Sequence, residues 1–306
     1  DGFELNFGCP HGMSERGMGA AVGQVPEYCA QIVGWVKEVA TIPVITKLTP
    51  NVADVVYPAR AAKGAKTDAV SLINTINSVI GVDLDIMAPK PHVAGKGSHG
   101  GYCGPAVKPI ALNMISSIAA DRELQGLPIS GIGGVSSWKD AAEFIALGCS
   151  NVQVCTAVMH YGFRIVEDMI DGLSAWMESK GYHKLSDFQG KAVTTVAKWE
   201  NLDLNAFTRA HIDESKCIGC ELCYIACEDG AHQALKLVDR NGLRRVEVKE
   251  DMCVGCNLCS LVCPVPDCIS MKAIDNGGAA PTTWKQLEAG QGKLAPRPQH
   301  YTRIEE

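Results

Sequence analysis

Short apolar runs alternate with stretches of helical periodicity along residues 1–178. The runs cover residues 3–7, 43–48, 69–73, 128–132 and 151–155. Each has strand length, and their apolar character suits strands buried on both faces of a parallel sheet. Between them the period lengthens. Pro26 stands where proline opens a helix, and Ile32, Trp35, Val36 and Val39 follow at helical spacing. Ser137 and Asp140 have the form of a capping box, with Asp in place of the usual Glu, ahead of a helix over 141–147 that Gly148 ends. A last amphipathic helix is predicted over 163–177.

Five strand–helix units predict an α/β fold, either a (β/α) barrel or an open doubly wound sheet. Asn6, Cys9, Lys47, Asn74, Thr75, Gly133, Gly134 and Thr156 lie at or just after the strand ends. In a barrel these positions converge on the face where the loops build the active site. Five strands do not close a barrel of eight, so three more are expected upstream. The chain opens at Asp1, directly before a strand, so further N-terminal residues, and any targeting segment in them, are expected ahead of it.

The pattern changes after residue 178. Residues 179–208 are polar and weakly periodic and read as a linker. Residues 209–276 carry most of the cysteines, and residues 277–306, rich in Gly, Pro, Gln and Lys, read as a tail extended on a surface. With 306 residues and 46% apolar composition the chain can bury more than one core. No apolar run reaches the length of a membrane span. A net charge of −6 without any basic run argues against a nucleic-acid partner.

The cysteines change the picture most. Cys217, Cys220, Cys223 and Cys227 form one C-x2-C-x2-C-x3-C motif, and Cys253, Cys256, Cys259 and Cys263 form a second. Three closely spaced thiols wrap one face of a cubane iron–sulfur cluster, and the fourth, after a longer step, ligates the other cluster. The spacing therefore assigns Cys217, Cys220, Cys223 and Cys263 to one 4Fe–4S cluster, and Cys253, Cys256, Cys259 and Cys227 to the other. A disulfide framework suits small secreted domains, and zinc does not call for the offset fourth cysteine. Pro264 closes the second motif, whereas Glu228 stands at the matching place in the first. Between the motifs, apolar alternation at 234–238 and 244–248 flanks Arg240-Asn241-Gly242, which predicts a hairpin. Reduced thiols and oxygen-sensitive clusters suit the cytoplasm.

The strand ends carry further chemistry. Gly131-Ile132-Gly133-Gly134 leads from a strand to a capped helix, where backbone amides can approach a phosphate; the bland alternative is a tight turn. Cys155-Thr156 on the next strand would complete such a grip, as in flavin mononucleotide barrels. Lys47 either stabilises negative charge on a flavin or snorkels to solvent. Asn6 offers a donor and an acceptor side by side, which suits a planar ring with amide edges. Cys9 follows on a loop with Gly12, Gly17 and Gly19, which reads as a mobile lid, and its thiol is either a general acid or a packing residue. Asn74-Thr75 is either a second polar contact or a turn. Cys29, Cys103, Cys149 and Cys268 lack ligand spacing and read as packing residues; His11 beside Cys9 either tunes the thiol or, as the favoured reading, is a loop residue.

Residues 4–19 (ELNFGCPHGMSERGMG), Thr46-Lys47-Leu48-Thr49-Pro50-Asn51, Asn74-Thr75, residues 101–104, Gly133-Gly134 and Gln153-Val154-Cys155, taken in order, resemble the flavin domain of the dihydropyrimidine dehydrogenases. The two-cluster domain behind them completes the likeness, which is nearest to the bacterial NAD-dependent form. The resemblance implies the C-terminal part of a (β/α)8 flavin-binding barrel followed by a ferredoxin-like two-cluster α+β domain. It implies FMN and two 4Fe–4S clusters on this chain, with NAD and FAD on a partner flavoprotein subunit in a hetero-oligomer. It implies reduction of uracil or thymine to the 5,6-dihydropyrimidine, with hydride from the flavin to C6 and a proton from Cys9 to C5. Asn6, Asn74 and Thr75 would bind the pyrimidine; Asn6, Lys47, Gly104, Gly133, Gly134, Cys155 and Thr156 would line the flavin. In the family the upstream part adds flavin contacts and another substrate asparagine, so this stretch alone is expected to be inactive. Gly8 departs from the serine often found there, leaving a backbone contact in its place. Two alternatives stay open: a dihydroorotate dehydrogenase-like enzyme, which needs a cation for a carboxylate, and a non-catalytic ferredoxin-type electron-transfer subunit.

Overall fold

The apolar runs form one sheet. In a computed structural model that describes residues 1–11, 16–240 and 242–295, strands β1 (Phe3–Asn6), β2 (Val44–Lys47), β3 (Ala69–Leu72), β4 (Ile129–Ile132) and β5 (Asn151–Gln153) pair in parallel in that spatial order. Sequential order with no reversal is the order of a (β/α) barrel and excludes the switch point of a doubly wound sheet. The crossovers contain α1 (Pro26–Val39), α2 (Val56–Gly64), α3 (Lys108–Ala120) and α4 (Trp138–Ala146), and α5 (Thr156–Tyr161) and α6 (Arg164–Ser179) follow β5.

Only one face of the sheet is apolar. Val70, Leu72 and Ile129 pack with Cys29 and Val33 of α1, Ala59 and Ala62 of α2, Ala111 and Ile115 of α3 and Phe144 of α4. The opposite face carries a polar row, because the register aligns Asn6, Lys47, Ser71, Ser130 and Asn151 across all five strands. The expectation of strands apolar on both faces is corrected here: alternation along each strand turns the polar residues inward. On α1 the buried residues are Cys29 and Val33, while Trp35 and Val39, expected on the core face, are exposed.

Local signals act as read at α4. Ser137 Oγ accepts from Asp140 N at 3.3 Å, and Ser137 Oγ and Ser136 N both donate to Asp140 Oδ2. Gly131 lies against the next layer, since a Cβ there would sit 2.4 Å from Phe144 Cδ1 and 2.7 Å from Cys149 Sγ. The linker is not found where the polarity suggested it. The chain divides into two compact units, 1–196 and 197–306. Residues 179–196 belong to the first: Phe188 is buried, stacks on Tyr182 at 5.4 Å and meets Trp176 edge-on at 5.1 Å. Gly190 N and Ala192 N donate to Ile145 O and Ala146 O, tying this strip to α4. Three scattered aromatics have no period to betray them.

In the second unit β6 (Thr208–Ile212) pairs antiparallel with β9 (Ile269–Ala273), and β7 (Leu235–Arg240) with β8 (Leu243–Val248). The last pair is the predicted hairpin, joined next to Gly242; Asn241 of its turn lies outside the described residues. Each cysteine motif runs into a helix, α7 (Leu222–Gly230) or α8 (Leu258–Leu261). Both helices start from a left-handed residue, Glu221 at φ 65° and Asn257 at φ 67°, so the two copies repeat in backbone as well as in spacing. Residues 277–295 are not an extended tail. They carry α9 (Trp284–Glu288), capped by Thr283 and Gln286, and fold around Asn205. The buried Asn205 amide donates to Ala280 O at 2.8 Å and Lys293 O at 3.0 Å, and its Oδ1 accepts from Ala295 N at 2.8 Å. Residues 296–306, also expected in the tail, lie outside the described residues.

Asn205→Ala removes these three hydrogen bonds from a buried position and leaves the buried Ala295 N without its acceptor, which destabilises the segment by on the order of 2–4 kcal/mol. Amide hydrogen exchange at Thr282 and Ala295 is expected to accelerate by about a hundredfold; unchanged protection would show that the segment is held elsewhere.

Candidate active site and cluster loops

Four strands, β2 to β5, deliver their C-terminal ends to one pocket of about 750 Å³, measured with its open mouth. Lys47, Asn74, Thr75, Gly104, Gly133, Gly134, Cys155 and Thr156 all line it, so most of the residues singled out from the sequence come together. Asn6 adjoins them: Asn74 Nδ2 donates to Asn6 Oδ1 at 2.7 Å, and Gly8 N donates to the same oxygen at 3.2 Å. The two amides thus form a pair at one wall. Asn51 secures the segment beyond, donating to Thr75 O at 3.1 Å and accepting from Asn77 N at 2.8 Å. Asn51 belongs to the run of resemblance, yet nothing in its spacing marks this role.

Gly8 has a steric reason. A Cβ there would fall 2.3 Å from Asn74 Cβ, so a serine cannot occupy this backbone without pushing the two strand ends apart. The Cys9 loop therefore lies flush against Asn74. Cys9 Sγ is 3.3 Å from His11 Nδ1. His11 is thus a partner of the thiol, the less favoured of its two readings; the signal available was its two-residue spacing on one loop. Ala20 N donates to Cys9 O at 3.0 Å, which anchors the far end of the glycine-rich loop. Gly12, part of the expected lid, lies outside the described residues.

The other end of the pocket is a backbone cradle. Gly104, Gly133 and Gly134 have φ of 89°, 131° and 79°. A Cβ on Gly134 would sit 2.8 Å from Gly104 O, and one on Gly133 would sit 2.9 Å from Ala111 Cβ. Only glycine allows so close an approach. Behind the cradle, Lys108 Nζ bonds Asp140 Oδ1 at 2.6 Å and Glu143 Oε2 at 2.8 Å. Burial pushes the Asp140 pKa up, but the bonds from Lys108, Ser136 and Ser137 outweigh it and hold the carboxyl below its ordinary value. The loop that follows Gly134 is thereby fastened at Ser136.

Lys47 does not snorkel. Its side chain is 17% exposed and Nζ donates to Glu4 Oε1 at 3.0 Å. Cys29 and Cys149 are packing thiols, as expected, with burial pushing both up to about 12. Cys103 corrects the expectation: it is exposed and lines the pocket. His160 and Tyr161 line it too, unread from the sequence because their helix shows no distinctive pattern.

In the second unit a separate cavity is lined by Cys253, Cys256 and Cys259 together with Cys227 from the other motif. Backbone amides point at two of these sulfurs, Ala210 N to Cys253 at 3.4 Å and Ala234 N to Cys227 at 3.3 Å. Burial, with the neighbouring Cys253, Cys256 and Cys227, pushes Cys259 up to about 11. Burial likewise raises Cys223 to about 11, with Cys259, Cys217 and Cys220 adding to it. Cys268 is buried beside Cys263 and Cys217, with Sγ 3.7 Å from Asp213 O. Its packing role stands, at the edge of the first thiol set.

A parallel barrel sheet with a glycine cradle, in a chain that also holds two interleaved four-cysteine loops, defines a flavin-type dehydrogenase domain with an iron–sulfur domain. Residues 1–177 match the family model for dihydroorotate dehydrogenase, and residues 210–271 match that for the 4Fe-4S dicluster domain. The chain belongs to the dihydroorotate dehydrogenase family. It is 44% identical over 236 residues to the NAD-dependent dihydropyrimidine dehydrogenase subunit PreA of Escherichia coli, covering 77% of this chain and 57% of that protein. It is 42% identical over 196 residues to the chloroplastic dihydropyrimidine dehydrogenase (NADP(+)) of Arabidopsis thaliana, covering 63% and 46%. It is 40% identical over 193 residues to the catalytic subunit of dihydroorotate dehydrogenase B (NAD(+)) of Pyrococcus abyssi, covering 63% and 61%. The chain thus spans 46% to 61% of the length of these relatives.

Two outcomes follow from this geometry. If Cys227 serves a cluster with Cys253, Cys256 and Cys259, as their shared cavity and the spacing suggest, Cys227→Ala should empty that site and spare the other, so that bound iron falls by about half; loss of iron from a site at Cys217, Cys220 and Cys223 instead would refute the crossed assignment. Because the folded Asp140 pKa lies below its ordinary value, its stabilisation is complete above the unfolded pKa, about 3.9, and is lost as pH falls through the folded one. The acid limb of a stability–pH curve should therefore be shallower in Asp140→Asn, as measured by urea unfolding from pH 6 to pH 2.

Proposed function

We propose that this chain is the flavin- and cluster-bearing part of a dehydrogenase that reduces uracil or thymine to the 5,6-dihydropyrimidine. The observation that carries this reading is the Asn6–Asn74 amide pair beside Cys9. A pyrimidine presents alternating carbonyl and N–H groups, and carboxamides answer them edge to edge. Asn6, Asn74 and Thr75 are assigned to that edge. Cys9 Sγ is assigned the proton delivered to C5, and His11 Nδ1, 3.3 Å away, is in reach to replace it. Each turnover then adds two electrons and two protons to the ring, one proton arriving within the hydride.

The pocket suits FMN. Backbone amides at Gly104, Gly133 and Gly134, with Thr156, would hold its phosphate, while Lys47, Asn6 and Cys155 would line the ring. When bound, the flavin supplies hydride to C6 of the substrate. The crossed cysteine sets would hold two 4Fe–4S clusters, which pass electrons one at a time. A partner flavoprotein carrying FAD and NAD is the proposed electron source, in a hetero-oligomer, with the cytoplasm as the compartment. No helix among the described residues is long and apolar enough to cross a membrane.

Orotate is the second reading, since a relative is named for dihydroorotate. Its carboxylate calls for a cation. Among the described residues lining the pocket the basic ones are Lys47 and His160, and Lys47 is already paired with Glu4. That favours the uncharged pyrimidine.

Anaerobically reduced full-length protein is expected to be reoxidised by uracil and not by orotate, followed by flavin absorbance. Cys9→Ala should slow this by about 10²- to 10⁴-fold with flavin and iron retained. Reoxidation by orotate alone would sink the substrate assignment, no reoxidation by either would leave the barrel a scaffold, and an unaffected Cys9→Ala would remove the proton-donor role from Cys9.

A further inference from the structure

Glu4 is the residue of the pocket region that the proposed chemistry leaves without a task. It does not line the pocket, yet it holds two residues that do. Lys47 Nζ donates to Glu4 Oε1 at 3.0 Å and Gln153 Nε2 donates to Glu4 Oε2 at 2.8 Å. Gln153 Nε2 also reaches Ser130 Oγ at 3.0 Å, and Ser130 Oγ donates to Asn151 Oδ1 at 2.5 Å. One carboxylate on β1 thus joins side chains of β2 and β5, across the inner face of the sheet. Burial works against this charge, but the bonds from Gln153 and Lys47 and the Lys47 charge outweigh it and hold the Glu4 carboxyl below its ordinary value.

The pairing has two effects on the pocket. It fixes the direction of the Lys47 ammonium, leaving hydrogens free to face a ligand. It also sets a negative charge 3.0 Å from the lysine's positive one, which opposes it. Reduction of a flavin places negative charge at the N1–C2 edge, so the field at that edge sets how readily the flavin accepts electrons. A bare lysine there would make a strongly oxidising flavin, whereas a compensated one makes a milder acceptor.

We propose that Glu4 is a positioning residue that aims Lys47 and tempers its charge, and so sets the redox poise of the flavin bound in this pocket. The inference rests on the reading of the pocket as a flavin site. It assigns Gln153 the task of keeping the second carboxylate oxygen from turning into the pocket.

The test is a reductive titration of full-length FMN-loaded protein and its variants against a dye of known potential. Glu4→Gln keeps an acceptor for Lys47 but removes the charge. At fixed potential the ratio of reduced to oxidised flavin should rise on the order of tenfold, the size of one unit charge acting at an effective dielectric of about 20 after solvent screening. Lys47→Met should lower the ratio, and in that background the effect of Glu4→Gln should shrink by half or more, because without the lysine's bond and charge burial favours the neutral carboxyl at Glu4. An unchanged or lowered ratio in Glu4→Gln, or an equal rise with and without Lys47, overturns the proposal. Wild-type protein that takes up no FMN overturns the flavin reading itself, a different and separately visible failure.

Discussion

The parallel register of the sheet is the constraint on which the barrel half of the chain depends. It sets Asn6, Lys47, Ser71, Ser130 and Asn151 in one row, so that polar side chains face inward while Val70, Leu72 and Ile129 face the helices. A one-residue slip of any strand would reverse both faces at once. The apolar face enforces the register, since Phe144, Ile115 and Val33 are fully buried against it. Chemistry and stability are therefore coupled: the packing that holds the sheet is the same packing that aims its polar row.

From that row the site is built by close backbone approach. Gly8 lets the Cys9 loop touch Asn74, and the cradle at Gly133 and Gly134 leaves no volume for a side chain. Fastening comes from behind, through Asp140 and Lys108 at one end and Asn51 at the other. In the second unit the analogous constraint is the crossed arrangement of thiols, in which Cys227 leaves its own motif to face Cys253, Cys256 and Cys259. Burial disfavours charge on Cys223 and Cys259, so thiolates there call for compensating positive charge, which cluster iron would supply.

Much of this was legible residue by residue. The five strands, the Ser137 cap and the hairpin are local, and their signals are periodicity, capping chemistry and turn residues. The eight cysteines declared a two-cluster domain through their spacing. The pocket residues at the strand ends were legible because a parallel sheet gathers its C-terminal ends. What escaped was long-range: the burial of Phe188 between Trp176 and Tyr182, the fold of residues 277–295 around Asn205, and the approach of Cys103 and His160 to the pocket. The tail composition, polar and glycine-rich, hid a single buried asparagine that organises it.

Sequence by itself determined the class of the fold, the family and the two-cluster domain, because each is written in periods and spacings a few residues long. Only the tertiary structure decided which way each strand faces, that Lys47 is held by Glu4, that His11 reaches Cys9 and that a serine at Gly8 would not fit. Those are distances between groups that are brought together by the curl of a sheet or the turn of a loop. Such distances follow from the packing of the whole domain, which no local pattern encodes.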